Sequence, residues 1–171
     1  MSKAYVLISC ETGSERSIIS NLKLIETVNE VFGTFGSYDV IAKMESDTEE
    51  KLRQAITKKV RMVPKIRATL TLMAHENGLF GKKLSSDEKE TLDRNASQAY
   101  VALHCKKIQE IEVLRELSDI PEIIEGDIVS GPFDIMCKVV APTYNDISDV
   151  VTKKIRKIQD VRTTITLNVI P

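Results

Sequence analysis

The sequence has no hydrophobic run approaching the ~20 residues that a membrane-spanning helix needs. It also shows no leader: Met1-Ser2-Lys3-Ala4-Tyr5 enters a strand-like pattern at once, so a signal peptide is not expected and the cytoplasm is the expected compartment. Cysteine is scarce. Cys10, Cys105 and Cys137 are odd in number and lack CxxC spacing, which speaks against a disulfide framework and against a zinc site. An excess of either charge sign is missing too, with 24 Lys and Arg against 25 Asp and Glu. Nucleic-acid-binding domains usually carry a basic excess. Finally, there is no HxxxH, HExxH, GxSxG, phosphate-binding P-loop or GxGxxG. These absences give a chain expected not to be an enzyme, with no catalytic residues, no cofactor, no metal and neither membrane nor nucleic acid as a direct partner.

What is present is a repeat. Ala4-Tyr5-Val6 returns as Ala99-Tyr100-Val101, and Cys10 returns as Cys105. Gly36-x-Tyr38-Asp39 returns as Gly131-x-Phe133-Asp134, and Thr57-Lys58-Lys59-x-Arg61 as Thr152-Lys153-Lys154-x-Arg156. Arg67-x-Thr69-x-Thr71-Leu72 returns as Arg162-x-Thr164-x-Thr166-Leu167. Every match has the same offset of 95, and about 20 of the 69 positions from Ala4 to Leu72 are identical. Such self-similarity decides the architecture before any local reading does.

Each copy parses as strand, helix, two strands, helix, strand. The helices carry Ile18, Leu22 and Ile25, or Val113, Leu117 and Ile120, on one face. Thr48 and Thr143 are placed as N-caps of the second helices. The fold class is α+β: two ferredoxin-like βαββαβ sandwiches, each with an antiparallel four-stranded sheet. Helices cover one face of a sheet only. The other face carries Tyr5, Leu7, Ile41 and Met73, with Tyr100, Ala102, Met136, Val140 and Ile170 in the second copy. That is too much apolar surface to leave in water, so the copies should pack sheet to sheet as an intrachain pseudo-dimer. Residues 1–75 and 98–171 are the expected domains. Residues 76–97 form a polar linker with a short helix capped by Ser85.

The bland readings of the reactive side chains hold first. The three cysteines alternate with core residues, His104 reads as an interface histidine, and the Lys-Lys-x-Arg segments end a helix, where cations complement its dipole. The two Gly-x-aromatic-Asp turns carry more. Turn amides can meet a carboxylate while an aspartate meets an ammonium, as an α-amino acid requires.

Here the sequence resembles the C-terminal ligand-binding domain of the Lrp/AsnC, or feast/famine, regulators, also called the RAM domain. The G-x-[aromatic]-D turn and the V-R-x-T-x-T-L final strand carry the resemblance, which spans both copies. It implies sheet-paired domains that bind amino acids near the turn. The residues implied are Gly36, Tyr38, Asp39, Thr69 and Thr71, and Gly131, Phe133, Asp134, Thr164 and Thr166. It further implies a small-molecule effector, and either a homo-oligomer of pseudo-dimers or association with other Lrp/AsnC-type regulators. Family members usually carry a helix-turn-helix domain ahead of the first strand; here three residues precede it, so a sensor without its own DNA reader is expected. The alternatives are a scaffold that kept the fold and lost the ligand, an RNA-binding module, and a ferredoxin-like oxygenase. The last two lack stacking aromatics and a suitable histidine, respectively.

Overall fold

A computed structural model describes residues 1–171, except for the side chains of residues 93 and 94. The first copy comprises β1 (Ser2–Cys10), α1 (Glu15–Lys23), β2 (Val28–Phe35), β3 (Val40–Ser46), α2 (Glu49–Ala55) and β4 (Ile66–Gly81). After α3 (Ser86–Asn95), the second copy runs β5 (Ser97–Cys105), α4 (Glu110–Ser118), β6 (Ile123–Ser130), β7 (Ile135–Ala141), α5 (Tyr144–Val150) and β8 (Val161–Val169). Thr48 accepts from the Lys51 amide, and Thr143 forms a reciprocal capping box with Asp146. Both second helices widen at the same place, over Ile56–Val60 and Val151–Ile155, where the Lys-Lys-x-Arg segments lie.

Within each copy the strand order is that of a ferredoxin-like sheet, β4-β1-β3-β2 and β8-β5-β7-β6. The two sheets do more than face one another. β2 pairs antiparallel with β8, and β4 with β6, so all eight strands close into one barrel. Each copy keeps its own helix-side core: Val6, Ile8, Ile18, Leu22, Leu52 and Val60 in the first, with matching residues in the second. A third cluster fills the lumen and draws on both copies, including Tyr5, Leu7, Ile41, Leu72, Tyr100, Ala102, Met136 and Leu167.

The lumen dominates the energetics of closure. Burying one large apolar side chain contributes about 1.5–3 kcal/mol. The β2–β8 seam, by contrast, is two residue pairs, Thr34 with Val169 and Phe35 with Asn168, and a backbone hydrogen bond nets about 0.5–1.5 kcal/mol.

Two residues expected in the lumen lie elsewhere. Leu72 stands opposite Tyr5 in the β1–β4 register and points inward, which turns Met73 into the helix-side core. Ile170 lies past the end of β8, beside Gly33 and, through it, Ile19. Alternation alone assigns faces only once the register is known.

The segment after the first copy enters the barrel. β4 continues through residue 81, pairing Leu79 with Asp127, Phe80 with Gly126 and Gly81 with Glu125, after an irregularity between Ala74 and Leu79. Phe80 packs against the second copy's core. Ser85 caps α3 by accepting from the Glu88 amide at 3.1 Å.

Both seams depend on a glycine. Gly36 (φ 141°) would place a Cβ 2.7 Å from the Thr166 carbonyl oxygen. Gly131 (φ 140°) would place one 2.9 Å from Leu72 Cδ2 and 3.0 Å from the Thr71 carbonyl oxygen. Neither the backbone angle nor the space admits a side chain. Gly36→Ala and Gly131→Ala should each destabilise by about 1–3 kcal/mol in urea denaturation. Gly81→Ala, with nothing within 4 Å of the added methyl, should stay close to neutral. Equal effects at all three positions would contradict the seam reading.

Candidate functional site

The two Gly-x-aromatic-Asp turns lie at one end of the barrel, where β1 and β5 finish. The strand register shifts between Ser9 and Cys10, and again between His104 and Cys105. Each shift releases an amide that needs an acceptor. Asp39 Oδ2 accepts from Cys10 N at 2.9 Å, and Asp134 Oδ2 accepts from Cys105 N at 3.0 Å. The backbone amides of the same aspartates donate to the Ile8 and Leu103 carbonyls. Each aspartate is thus anchored through one carboxylate oxygen and its own amide.

The turns also bridge the copies. Gly36 lies on Thr166 and Leu167 of the second copy, and Gly131 on Thr71 and Leu72 of the first. Thr69 and Thr71 pair with Ile8 and Val6, while Thr164 and Thr166 pair with Leu103 and Val101, so each threonine pair lies on its own copy's first strand. The expected site residues therefore gather around two equivalent, composite loci. Tyr38 and Phe133 are half-buried against the lumen cluster.

The loci differ in their neighbours. Phe133 stacks on His104 with ring centroids 4.6 Å apart, and His104 Nδ1 is 3.6 Å from Asp134 Oδ2. The first copy has Ser9 where the second has His104. His75 Nε2 lies 2.6 Å from Ser130 Oγ, beside Gly131. Arg156 Nε donates to Thr164 Oγ1 at 3.1 Å, so the basic helix end reaches a predicted threonine.

The cysteines lack thiolate character. Burial, reinforced by Asp39 and Asp134, pushes the Cys10 and Cys105 thiols up to about 11, and burial pushes Cys137 up to about 12. Nucleophilic chemistry needs the thiolate. Among the described residues, no group of three or more His, Cys, Asp or Glu is placed to hold a metal ion, and no helix is long and apolar enough to cross a membrane.

The opposite end of the lumen holds a polar layer that the sequence reading missed. Lys43 Nζ is 3.0 Å from Glu125 Oε2, and Lys138 Nζ is 3.8 Å from Glu30 Oε2. These are the same pair made twice across the pseudo-twofold axis. Tyr100 donates to Glu30 at 3.1 Å, whereas Tyr5 donates to Asp127 at 2.6 Å. Asp127, at 0% exposure, also takes Lys3 at 2.9 Å, and its Oδ1 has no hydrogen-bond partner among the described residues. Its counterpart in the first copy is Phe32. Burial pushes the Glu30 carboxyl up, but Lys138, Lys43 and the Tyr100 hydroxyl outweigh it and hold the carboxyl below its ordinary range. Burial, then the neighbouring carboxylates, pushes both tyrosines well above theirs. The signal was available: Tyr5, Glu30 and Lys43 all recur unchanged at the offset of 95.

The fold is a tandem of two ferredoxin-like copies closed into one barrel, and known proteins share parts of it. The Lrp/AsnC ligand binding domain family matches residues 98–170. The structure of FFRP-DM1 is 37% identical over 44% of this chain and 100% of its own, with a TM-score of 0.43. The chain belongs to the Lrp/AsnC ligand-binding family. No curated protein matches it.

Whole-chain likeness comes from other proteins. The siroheme decarboxylase NirDL matches 99% of this chain and 71% of its own at a TM-score of 0.69 and 8% identity. An anthrone oxidase-like protein matches 99% and 91% at 0.61 and 10%. At such identities the fold alone is shared. These neighbours nevertheless overturn the expectation that the chain is not an enzyme, because the same two-copy architecture carries catalysis in NirDL. Absent linear motifs were a poor ground for that expectation. Side chains from separate strands meet in one lumen without any contiguous signature, and fold does not dictate function.

The Glu30 pair has a pH signature. With the folded carboxyl held below its ordinary value of 4.5, its stabilisation is complete above that pH and is lost as pH falls through the folded value. Wild type should therefore lose more stability than Glu30→Gln between pH 6 and pH 3 in thermal denaturation. Parallel losses would show that the pair contributes nothing.

Proposed function

We propose that the chain is an effector sensor. It binds an amino acid or a related small metabolite at the Gly36–Asp39 and Gly131–Asp134 turns, and it signals through association with further copies or with other Lrp/AsnC-type regulators. In this reading residues 1–75 and 98–171 are the two RAM-like domains, joined by residues 76–97. The observation that carries it is the anchoring of Asp134: one oxygen is fixed by the Cys105 amide, beside His104 and a half-buried aromatic ring. A carboxylate fixed at one oxygen presents the other to a ligand ammonium. The adjoining amides and Arg162, close enough to act on the Cys105 thiol, suit the ligand carboxylate.

The turns lie at the barrel end with Tyr38 and Phe133 only half-buried, so a bound amino acid gains from a further wall. A second molecule docked on this end supplies it, which couples ligand binding to assembly. The second locus is the stronger candidate because it follows the family pattern more closely and adds His104.

Asp134→Asn keeps an acceptor for the Cys105 amide while removing the charge. In calorimetry against a panel of amino acids, wild type should bind at least one, and Asp134→Asn should lose about 2–5 kcal/mol of affinity with an unchanged melting temperature. Unchanged affinity in both Asp134→Asn and Asp39→Asn would reduce the turns to strand-end caps.

A further inference from the structure

We propose that the end of the barrel opposite the turns is a second ligand site, for a small dicarboxylic acid. A cavity of about 290 Å³ opens there beneath α3. Its charged lining is Glu30, Lys43, Lys82, Lys89, Glu125 and Lys138. Among the described residues, four ammonium groups face two carboxylates, an excess of two cations.

The excess can be assigned to residues. Lys43 and Lys138 are matched by Glu125 and Glu30 across the pseudo-twofold axis. Lys82 Nζ donates to the Ile120 carbonyl oxygen at 2.7 Å. Burial holds its ammonium below the ordinary range, despite the more distant Glu122 and Asp119. Lys89, exposed on α3, acts on Glu30 electrostatically but forms no ion pair within 4.0 Å among the described residues. Lys82 is partly desolvated with its nearest carboxylates beyond ion-pair distance, and a bound anion would relieve that cost.

Two cations outside any ion pair suit a ligand with two acid groups. Leu84, Leu92 and Val140 complete the wall and suit a short hydrocarbon spacer between them. The volume lies at the small end of the range for small-molecule pockets, which favour the mouths of β-barrels. Eight strands enclose room for side chains or for one small ligand. The glutamates disfavour a compact trianion set among them. A monocarboxylate would leave one lysine unmatched. Because α3 and the residues before it form one wall, ligand binding here would fix the segment that joins the copies.

The test titrates the full chain with succinate and glutarate, with butyrate and inorganic phosphate as comparators, following backbone amide shifts and calorimetric heats. One of the two dicarboxylates should bind at least tenfold tighter than either comparator and shift the amides around Lys43, Lys82 and Lys138. Lys82→Gln/Lys89→Gln should weaken it at least tenfold, whereas Asp134→Asn should not. Lys89→Gln alone, at an exposed position, should weaken it measurably and serves if the double variant does not fold. Binding of neither dicarboxylate, phosphate binding as tightly, or affinity retained in the lysine variants would each overturn the proposal. Loss in Asp134→Asn alone would instead place the ligand at the turns.

Discussion

Eight strands close around a space that side chains fill, and this lumen is the constraint on which the rest depends. Each copy has a helix-covered face with its own core, and each has a second face that only the other copy can cover. A lone copy would leave that second face in water. The covalent link makes the partner always available, so closure carries no translational entropy cost of bringing two chains together. The seams then follow from the packing: where β2 and β8 or β4 and β6 come alongside, a glycine with positive φ lets the backbones approach.

The polar layer at one end does a different job from the apolar layer. An ion pair at this depth adds little net stability, because desolvation offsets much of the attraction, yet leaving one member unpaired is costly. Lys43 with Glu125 and Lys138 with Glu30 therefore select one alignment of the two sheets over its neighbours. A slip of one residue would turn the lysines into the helix-side cores and break both pairs. Asp127 in place of Phe32 breaks the symmetry, and Lys3 with Tyr5 balances the charge it brings. The two ends of the barrel are thus free to diverge in what they recognise while the middle stays fixed.

The offset of 95 made the duplicated fold legible, because twenty identities at constant spacing leave one architecture. Helix faces and caps were legible as well, since 3.6-residue periodicity and Thr48 or Thr143 act locally. Edge pairing was not: nothing local in β2 or β8 announces a partner 130 residues away. Face assignment failed at Met73 because it needed the β1–β4 register. Of the turns, the glycine and aspartate could be read as a motif, yet their roles in closing the seam and in anchoring a strand-end amide emerge only from contacts between distant segments. The Lys43 and Glu30 repeats were visible in the sequence, but an ion pair across a lumen has no signature along either strand.

The central claim is that the two copies form one cooperative barrel rather than two tethered domains. Residue-resolved hydrogen exchange on Leu7→Ala tests it most directly, since Leu7 is fully buried in the shared lumen and belongs to the first copy. The account predicts that amides of β5 and β7 in the second copy lose protection together with those of β1 and β3, by the same free energy. Retained protection throughout β5 and β7, with loss confined to the first copy, would contradict it.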